Sequence, residues 1–355
     1  MTDIREILRK KIAGFDRVSL IHRPTPLRKL ERLSAEIGGP EIWIKRDDLT
    51  GLALGGNKSR KLEFIIADAL AKKREVVATW GALQSNWAMQ TAAACAKSGL
   101  HPVLVLFKKY DLPPEIDGNM LLEKLLGADI RITEGGKGKM ITDVSALAAV
   151  EEAAAEYRAA GRSTYVVPVG GSVPMGDMDR PLGAVAYLEA FLELTDQTEE
   201  RGFRPDAIVF ATGSGGTHAG LLCGAKWVSP ETRIVGINVS DPKDAFTEIV
   251  RKVVAATERL LDLETEARPE DFVCLDDYLQ DGYGIVNRDV VGVIRRLFQT
   301  EGIVLDPVYT AKAFLGMLDL IGKGYFKKTD KIVFLHTGGT PALFPNKLTL
   351  VGYCD

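Results

Sequence analysis

Two short phrases far apart in the chain carry residue types for one joint chemistry. In Gly55-Gly56-Asn57-Lys58 a lysine follows flexible backbone at the mouth of a helix. The glycines let the backbone bend and approach a flat ligand, and Asn57 is placed to cap a helix starting at Lys58 or Ser59. An amine desolvated beside a helix N-terminus has a depressed pKa and attacks aldehydes. A plainer reading of the same residues is a phosphate-binding basic turn made by Lys58, Arg60 and Lys61. The second phrase, Gly213-Ser214-Gly215-Gly216-Thr217, follows the apolar run Ala207–Ala211 and opens another helix. Bare N–H groups there can hold a phosphate. Its glycines miss the GxGxxG spacing of dinucleotide sites, and it lacks the lysine of a Walker loop. What remains, amides plus the Ser214 and Thr217 hydroxyls, suits a terminal phosphomonoester. Close packing of a helix on a sheet would use the same glycines.

A reactive amine and a phosphate cradle together are what a pyridoxal 5'-phosphate (PLP) enzyme requires. Other segments could complete such a site. Gln84-Ser85-Asn86 lies between a strand and a helix, where hydroxyl, amide and free N–H groups can grip a carboxylate; an ordinary N-cap at Ser85 or Asn86 explains the same residues. Tyr283 and Tyr309 occupy turn-like settings before helices, and a phenol acts as acid or base when its surroundings lower its pKa. Packing anchors would look the same. Thr337 follows the strand Lys331–Leu335, at the strand end where ligands sit in α/β sheets.

The elements that must position these residues are legible in the hydrophobic pattern. Strands are expected at Glu41–Lys45, Val76–Thr79, Val103–Phe107, Asp129–Ile132, Tyr165–Val169, Ala207–Ala211, Ile234–Val239 and Lys331–Leu335. Several are apolar throughout, as parallel strands covered on both faces are. Leu62, Ile65, Ile66, Ala69 and Leu70 follow a helical stripe after Lys58, and Val144–Ala160 reads as a helix closed by Gly161. This alternation predicts an α/β fold with open, mostly parallel sheets and helices on both faces. So many strands imply two sheets and two domains. Gly170–Gly183 reads as the crossover between them.

Bulk properties narrow the classes. The 355 residues are 46% hydrophobic, enough for large cores, and the net charge of -3 offers no basic field for nucleic acid or anionic lipid. The start lacks the apolar stretch of a signal peptide, and no uncharged apolar run reaches the ~20 residues of a spanning helix. Cys95, Cys223, Cys274 and Cys354 are scattered and read as reduced thiols, with no metal site among them. A cytoplasmic protein without membrane or nucleic-acid partners is expected.

As a set, these motifs resemble the fold type II (tryptophan synthase β-like) PLP enzymes, in the subgroup of 1-aminocyclopropane-1-carboxylate (ACC) deaminase and D-cysteine desulfhydrase. The similarity includes Thr25-Pro26-Leu27, Ile44–Asp48, Gly55–Phe64, Gln84–Asn86, Pro168–Ser172, Gly213–Leu221, the Tyr283 turn, Asp306–Thr310 and His336–Phe344. The resemblance implies that Lys58 forms the internal aldimine and that Gly213, Ser214, Gly215, Gly216 and Thr217 hold the phosphate. It implies that Asn86 bonds the phenolic oxygen and that Ser85, Asn86, Trp87 and Tyr283 meet the substrate. Lys58, Ser85, Tyr283 and Tyr309 would be catalytic, and Thr310 and Thr337 would lie by the pyridine nitrogen. It also implies a large PLP domain (1–55 and 172–355), a small mobile domain (56–171) carrying the Lys58 helix and the Gln84–Asn86 loop, and a homodimer.

Departures from the family pattern bear on the substrate. ACC deaminases carry glutamate where Thr310 stands; without that carboxylate the ring is a weaker electron sink, which suits β-elimination. Trp87 and Met89 replace polar residues and make one wall more apolar. The expected activity is release of pyruvate and ammonia from a β-substituted amino acid, foremost D-cysteine, with sulfide as leaving group. L-cysteate sulfo-lyase and ACC deaminase are the alternatives among enzymes, and a PLP carrier or amino-acid sensor the alternative among non-enzymes.

Overall fold

The computed structural model describes residues 4–108, 116–134, 144–240, 242–279 and 282–354. Its strands are β1 (Leu27–Lys29), β2 (Glu41–Arg46), β3 (Val76–Ala82), β4 (His101–Lys108), β5 (Asp129–Glu134), β6 (Thr164–Val166), β7 (Ala207–Thr212), β8 (Arg233–Asn238), β9 (Val273–Leu275) and β10 (Lys331–His336). The helices are α1 (Ile4–Ala13), α2 (Glu31–Ile37), α3 (Asn57–Ala71), α4 (Asn86–Lys97), α5 (Gly118–Leu125), α6 (Val144–Ala159), α7 (Leu182–Glu200), α8 (Gly216–Val228), α9 (Lys243–Leu261), α10 (Arg288–Glu301), α11 (Thr310–Gly322) and α12 (Lys347–Gly352).

The strands form two sheets, one ordered β1-β2-β10-β7-β8-β9 and one ordered β5-β4-β3-β6. Only β1 pairs antiparallel, at the edge of the larger sheet. Every residue of β3 and β7 is buried, because helices cover both faces. Ile208 and Phe210 pack with α3, α7, α8 and α9. Ala207, Val209 and Ala211 point the other way, against α2, α10 and α11. In the smaller sheet Val103 and Val105 face α6, while Leu104 and Leu106 face α4 and α5.

All eight expected strands are present, and α6 ends next to Gly161 as its pattern predicts. Strand β6 is shorter than expected: Pro168 and the left-handed Gly170 and Gly171 (φ 70° and 56°) turn the chain after Val166. The three-residue β1 and β9 are too short to carry a periodic signal.

Parallel pairing has a direct consequence for the candidate residues. Gly213 follows the C-terminal end of β7, Thr337 that of β10 and Ser85 that of β3, while the Gly55–Lys58 turn follows β2. Strand polarity therefore delivers these segments to carboxyl ends, the usual ligand edge of such sheets.

Helix α3 is not the half-exposed helix that its stripe suggests. Arg60, Lys61, Glu63 and Asp68 are buried along with Leu62, Ile65 and Ile66. Arg60, Glu63 and Asp68 keep their charges in burial because they are paired. Arg60 donates to both oxygens of Asp47 (3.0 and 2.9 Å) and of Glu193 (3.0 and 2.8 Å). Tyr187 donates to Asp47 (2.7 Å), and Lys45 donates to Glu193 (2.5 Å) and Gln197 (2.6 Å). The network ties the first turn of α3 to β2 and α7. Replacing one partner strands the others without countercharge, so Arg60→Met should lower stability by about 3–5 kcal/mol in chemical denaturation; a change within experimental error would contradict the structural weight given to this network.

Candidate active site

The two phrases singled out in the sequence meet in space. Asn57 does not cap α3; Gly56 holds the N-cap position and no side chain caps the helix. The Asn57 amide is used instead as a bridge. Its Nδ2 donates to Thr217 Oγ1 (3.2 Å), and its Oδ1 accepts from Lys58 Nζ (3.0 Å). Gly55 (φ 74°) and Gly56 (φ 135°) have no room for side chains: a Cβ would lie 1.9 Å from Asp48 O or 2.4 Å from Gln90 Nε2. Gln90 in turn donates to Gly55 O (2.8 Å) and accepts from Ser59 Oγ (2.7 Å), locking the turn to α4.

Around Lys58 lies a cleft enclosing about 790 Å³ of empty space, part of it open to solvent. Lys58, Ser85, Asn86, Trp87, Tyr283, Tyr309 and Thr337 line it, as do Gly213, Ser214, Gly215 and Thr217. Gly216 and Thr310 do not. The Gly216 N–H donates to Ser172 Oγ (3.0 Å), which also pairs with Ser214 Oγ (3.0 Å). The Thr310 hydroxyl donates to Asp306 Oδ1 (2.7 Å) and accepts from the Asp306 N–H (2.8 Å), away from the cleft. Ser85 is the N-cap of α4, accepting from the Ala88 N–H (3.1 Å), which leaves its own proton to donate. Trp87 is buried, its indole N–H held by Thr79 Oγ1 (2.7 Å). Met89, expected on the same wall, is buried but does not line the cleft.

Tyr283 and Tyr309 share a hydrogen bond of 2.5 Å between their hydroxyls, with rings edge to face. Asp281, in the same turn as Tyr283, lies outside the described residues. A buried lysine that carries no signal in the sequence, Lys312, donates to the carbonyls of Leu279 (2.9 Å) and Gly282 (2.7 Å). It joins the Tyr283 turn to the helix that follows Tyr309.

The electrostatics are lopsided. Burial pulls the Lys58 ammonium down to about 8, with the Asp306 carboxylate opposing. Asp306 is itself buried, held by the N–H groups of Val308, Tyr309 and Thr310. Lys61 is fully buried too; among the described residues its Nζ hydrogen-bonds the Gly170 carbonyl (3.2 Å) and lies 5.7 Å from the centre of the Tyr187 ring. Burial, then the charge of Lys58, push its pKa well below the usual lysine range. Among the described residues lining the cleft there is no Asp or Glu.

The model for pyridoxal-phosphate dependent enzymes matches residues 18–338. The chain belongs to the pyridoxal-phosphate dependent enzyme family. It is 42% identical to a D-cysteine desulfhydrase of Klebsiella pneumoniae subsp. pneumoniae, over 94% of this chain and 97% of the relative. It is 39% identical to a putative 1-aminocyclopropane-1-carboxylate deaminase of Pyrococcus abyssi, over 94% of each. A crystal structure described as the ACC deaminase homologue superposes with a TM-score of 0.86 at 38% identity, covering 99% of both chains. O-ureido-L-serine synthase, at 17% identity and a TM-score of 0.63, shares the fold.

The residues present fit PLP. Two lysine amines, Lys58 and Lys61, are desolvated close to one another and to the glycine turn, so that each resists protonation until a countercharge arrives; a Cβ at Gly216 would lie 3.2 Å from Lys61 Nζ. Such a pair calls for an anion, and the phosphate of the cofactor is one. The sequence offers Lys61 only as part of a basic turn with Lys58 and Arg60; its approach to the glycine turn from α3 is visible only in space, and Arg60 is taken up by Asp47 and Glu193. Lys61→Met should raise the melting temperature of the cofactor-free protein while weakening PLP binding at least about tenfold, as titration would show. For Lys58, the reactive free amine forms as pH rises through the lowered pKa. Labelling by an amine-directed reagent in cofactor-free protein, followed by peptide mass, should rise with an inflection near pH 8; an inflection at the ordinary lysine value of ~10.4 would contradict the desolvation described.

Proposed function

We propose that the chain is a PLP-dependent carbon–sulfur lyase that converts D-cysteine to pyruvate, sulfide and ammonia. The observation that carries this reading over ring-opening deamination is the absence of any carboxylate among the described residues of the cleft wall. PLP, when bound, supplies an aldehyde for amine condensation and a conjugated ring that takes up electron density. A wall of hydroxyls and amides around that ring leaves its nitrogen without an acid partner. Elimination of a good leaving group needs less electron withdrawal than opening a cyclopropane. Position 310 contributes no acid, and its hydroxyl is turned back onto Asp306.

The chain's own groups divide the work. Lys58 would hold the cofactor through its amine and would supply the base for the substrate's α-proton. Gly213, Ser214, Gly215 and Thr217, with Lys61 behind them, would hold the phosphate, while the Gly216 N–H is already given to Ser172. Thr337 lies toward the ring nitrogen. Ser85 and the N-terminus of α4 bind the substrate carboxylate, and Asn86 meets the cofactor's phenolic oxygen. Tyr283 and Tyr309 relay a proton to the departing sulfur. Trp87 closes the side wall against water.

The two sheets support a division into a large part (1–55 and 172–355) and a smaller, mobile part (56–171), with the Arg60 network anchoring the start of the latter. Exposed Leu348 and Val351 on α12 offer apolar surface to a second copy, consistent with a homodimer. No helix among the described residues is long and apolar enough to cross a membrane, in keeping with a cytoplasmic enzyme.

The deciding experiment supplies D-cysteine, L-cysteine, L-cysteate and ACC to the PLP-loaded protein and measures keto acid and sulfide. D-cysteine should give both products, and Lys58→Ala should abolish them. A four-carbon keto acid from ACC with no turnover of D-cysteine would overturn the assignment, and no turnover of any amino acid would favour a PLP carrier.

A further inference from the structure

The Gln84-Ser85-Asn86 turn is held from behind by Asn119, the second residue of α5. Asn119 is fully buried. Its Nδ2 lies 2.9 Å from the Gln84 carbonyl oxygen and 2.8 Å from Asn86 Oδ1. A backbone carbonyl only accepts, so the Asn119 atom facing it is the amide nitrogen. That nitrogen's second proton meets Asn86, so the Asn86 atom it meets is oxygen. The amide nitrogen of Asn86 is then left for whatever occupies the cleft that Asn86 lines.

Without such a fixed donor, the two ends of an asparagine amide are similar in size and exchange by a half-turn of the side chain. The surroundings hold Asn119 rigid. Its backbone N–H donates to Gln84 Oε1 (2.8 Å), and Gln84 Nε2 donates to the Asp117 carbonyl (3.0 Å). At Gly118 (φ 58°) a Cβ would lie 2.6 Å from Gln84 Oε1 and 2.8 Å from Pro341 O, so the start of α5 presses directly on the turn.

We infer that Asn119 is a positioning residue that sets the polarity of the Asn86 amide, so that a donor faces the anionic ring oxygen of the cofactor. The inference rests on the placement of Asn86 against that oxygen proposed above. A donor stabilises the anion through a charge-assisted hydrogen bond, whereas an acceptor in its place repels it. Asn119 touches neither cofactor nor substrate and acts only through Asn86.

The test compares Asn119→Asp with Asn119→Ala. A carboxylate only accepts, so Asn119→Asp draws the Asn86 nitrogen inward and turns its oxygen to the cleft; Asn119→Ala removes the preference without reversing it. Titration of cofactor-free protein with PLP should show the dissociation constant raised roughly ten- to hundredfold in Asn119→Asp and less in Asn119→Ala. The absorbance of bound cofactor should move from the visible towards the ultraviolet in the same order, because a proton is then favoured on the ring oxygen. A merely structural role predicts equal effects of both variants, tracking their melting temperatures and not the spectrum. Equal impairment, or parent-like affinity and absorbance in both, overturns the inference; should Asn119→Asp not fold, parent-like behaviour of Asn119→Ala alone does so. A parent chain that binds PLP normally while Asn86→Ala leaves its absorbance unchanged would instead remove the placement of Asn86 on which the inference stands.

Discussion

The ion pair between Arg60 and Asp47, both essentially without exposure, is the constraint on which the site depends. Arg60 stands two residues after Lys58, on the same first turn of α3. Its fork engages the carboxylate that follows β2 and the Glu193 carboxylate of α7 at once, so the helix start cannot shift along its axis without breaking several short contacts. Lys58 inherits that rigidity. Gln90 and Asn57 add a grip on either side, one to α4 and one to the glycine turn. The reactive amine is thus fixed by Asn57 at the cleft wall and by Arg60 and Gln90 behind it.

The charge distribution follows a second rule. Acids of this region are turned away from the cleft and already saturated with donors: Asp306 by amides and Thr310, Asp47 and Glu193 by Arg60. Lys58 feels the Asp306 charge, while Lys61 has no ion-pair partner among the described residues. A protein that kept its anions occupied and its cations available is built around an anionic guest, and the family to which the chain belongs supplies one in PLP.

Much of this architecture was legible in the sequence because it is local. Strands β3 and β7 announce themselves as unbroken apolar runs, and the glycine turn and the Lys58 turn sit where strand polarity requires. Features that depend on contact through space were not. Lys61 approaches a turn far along the chain, Lys312 clamps carbonyls across a loop, and Asn119 acts on Asn86 from another helix. The motif around Thr310 points its hydroxyl at the ring nitrogen, whereas the neighbouring Asp306 carboxylate takes that hydroxyl's proton as its own hydrogen bond. Asn57 was read as a cap for the same reason: its type suits capping, but a neighbouring amine and a distant threonine offered its amide better partners.

The crowding of Lys58 and Lys61 has a consequence beyond the reaction. In the emptied protein burial and the charge of Lys58 favour the neutral amine of Lys61, whereas an arriving phosphate would favour its ammonium form. Loading with vitamin B6 would therefore draw a proton into the interior along with the anion, coupling occupancy of this cleft to the acidity of the surrounding solution.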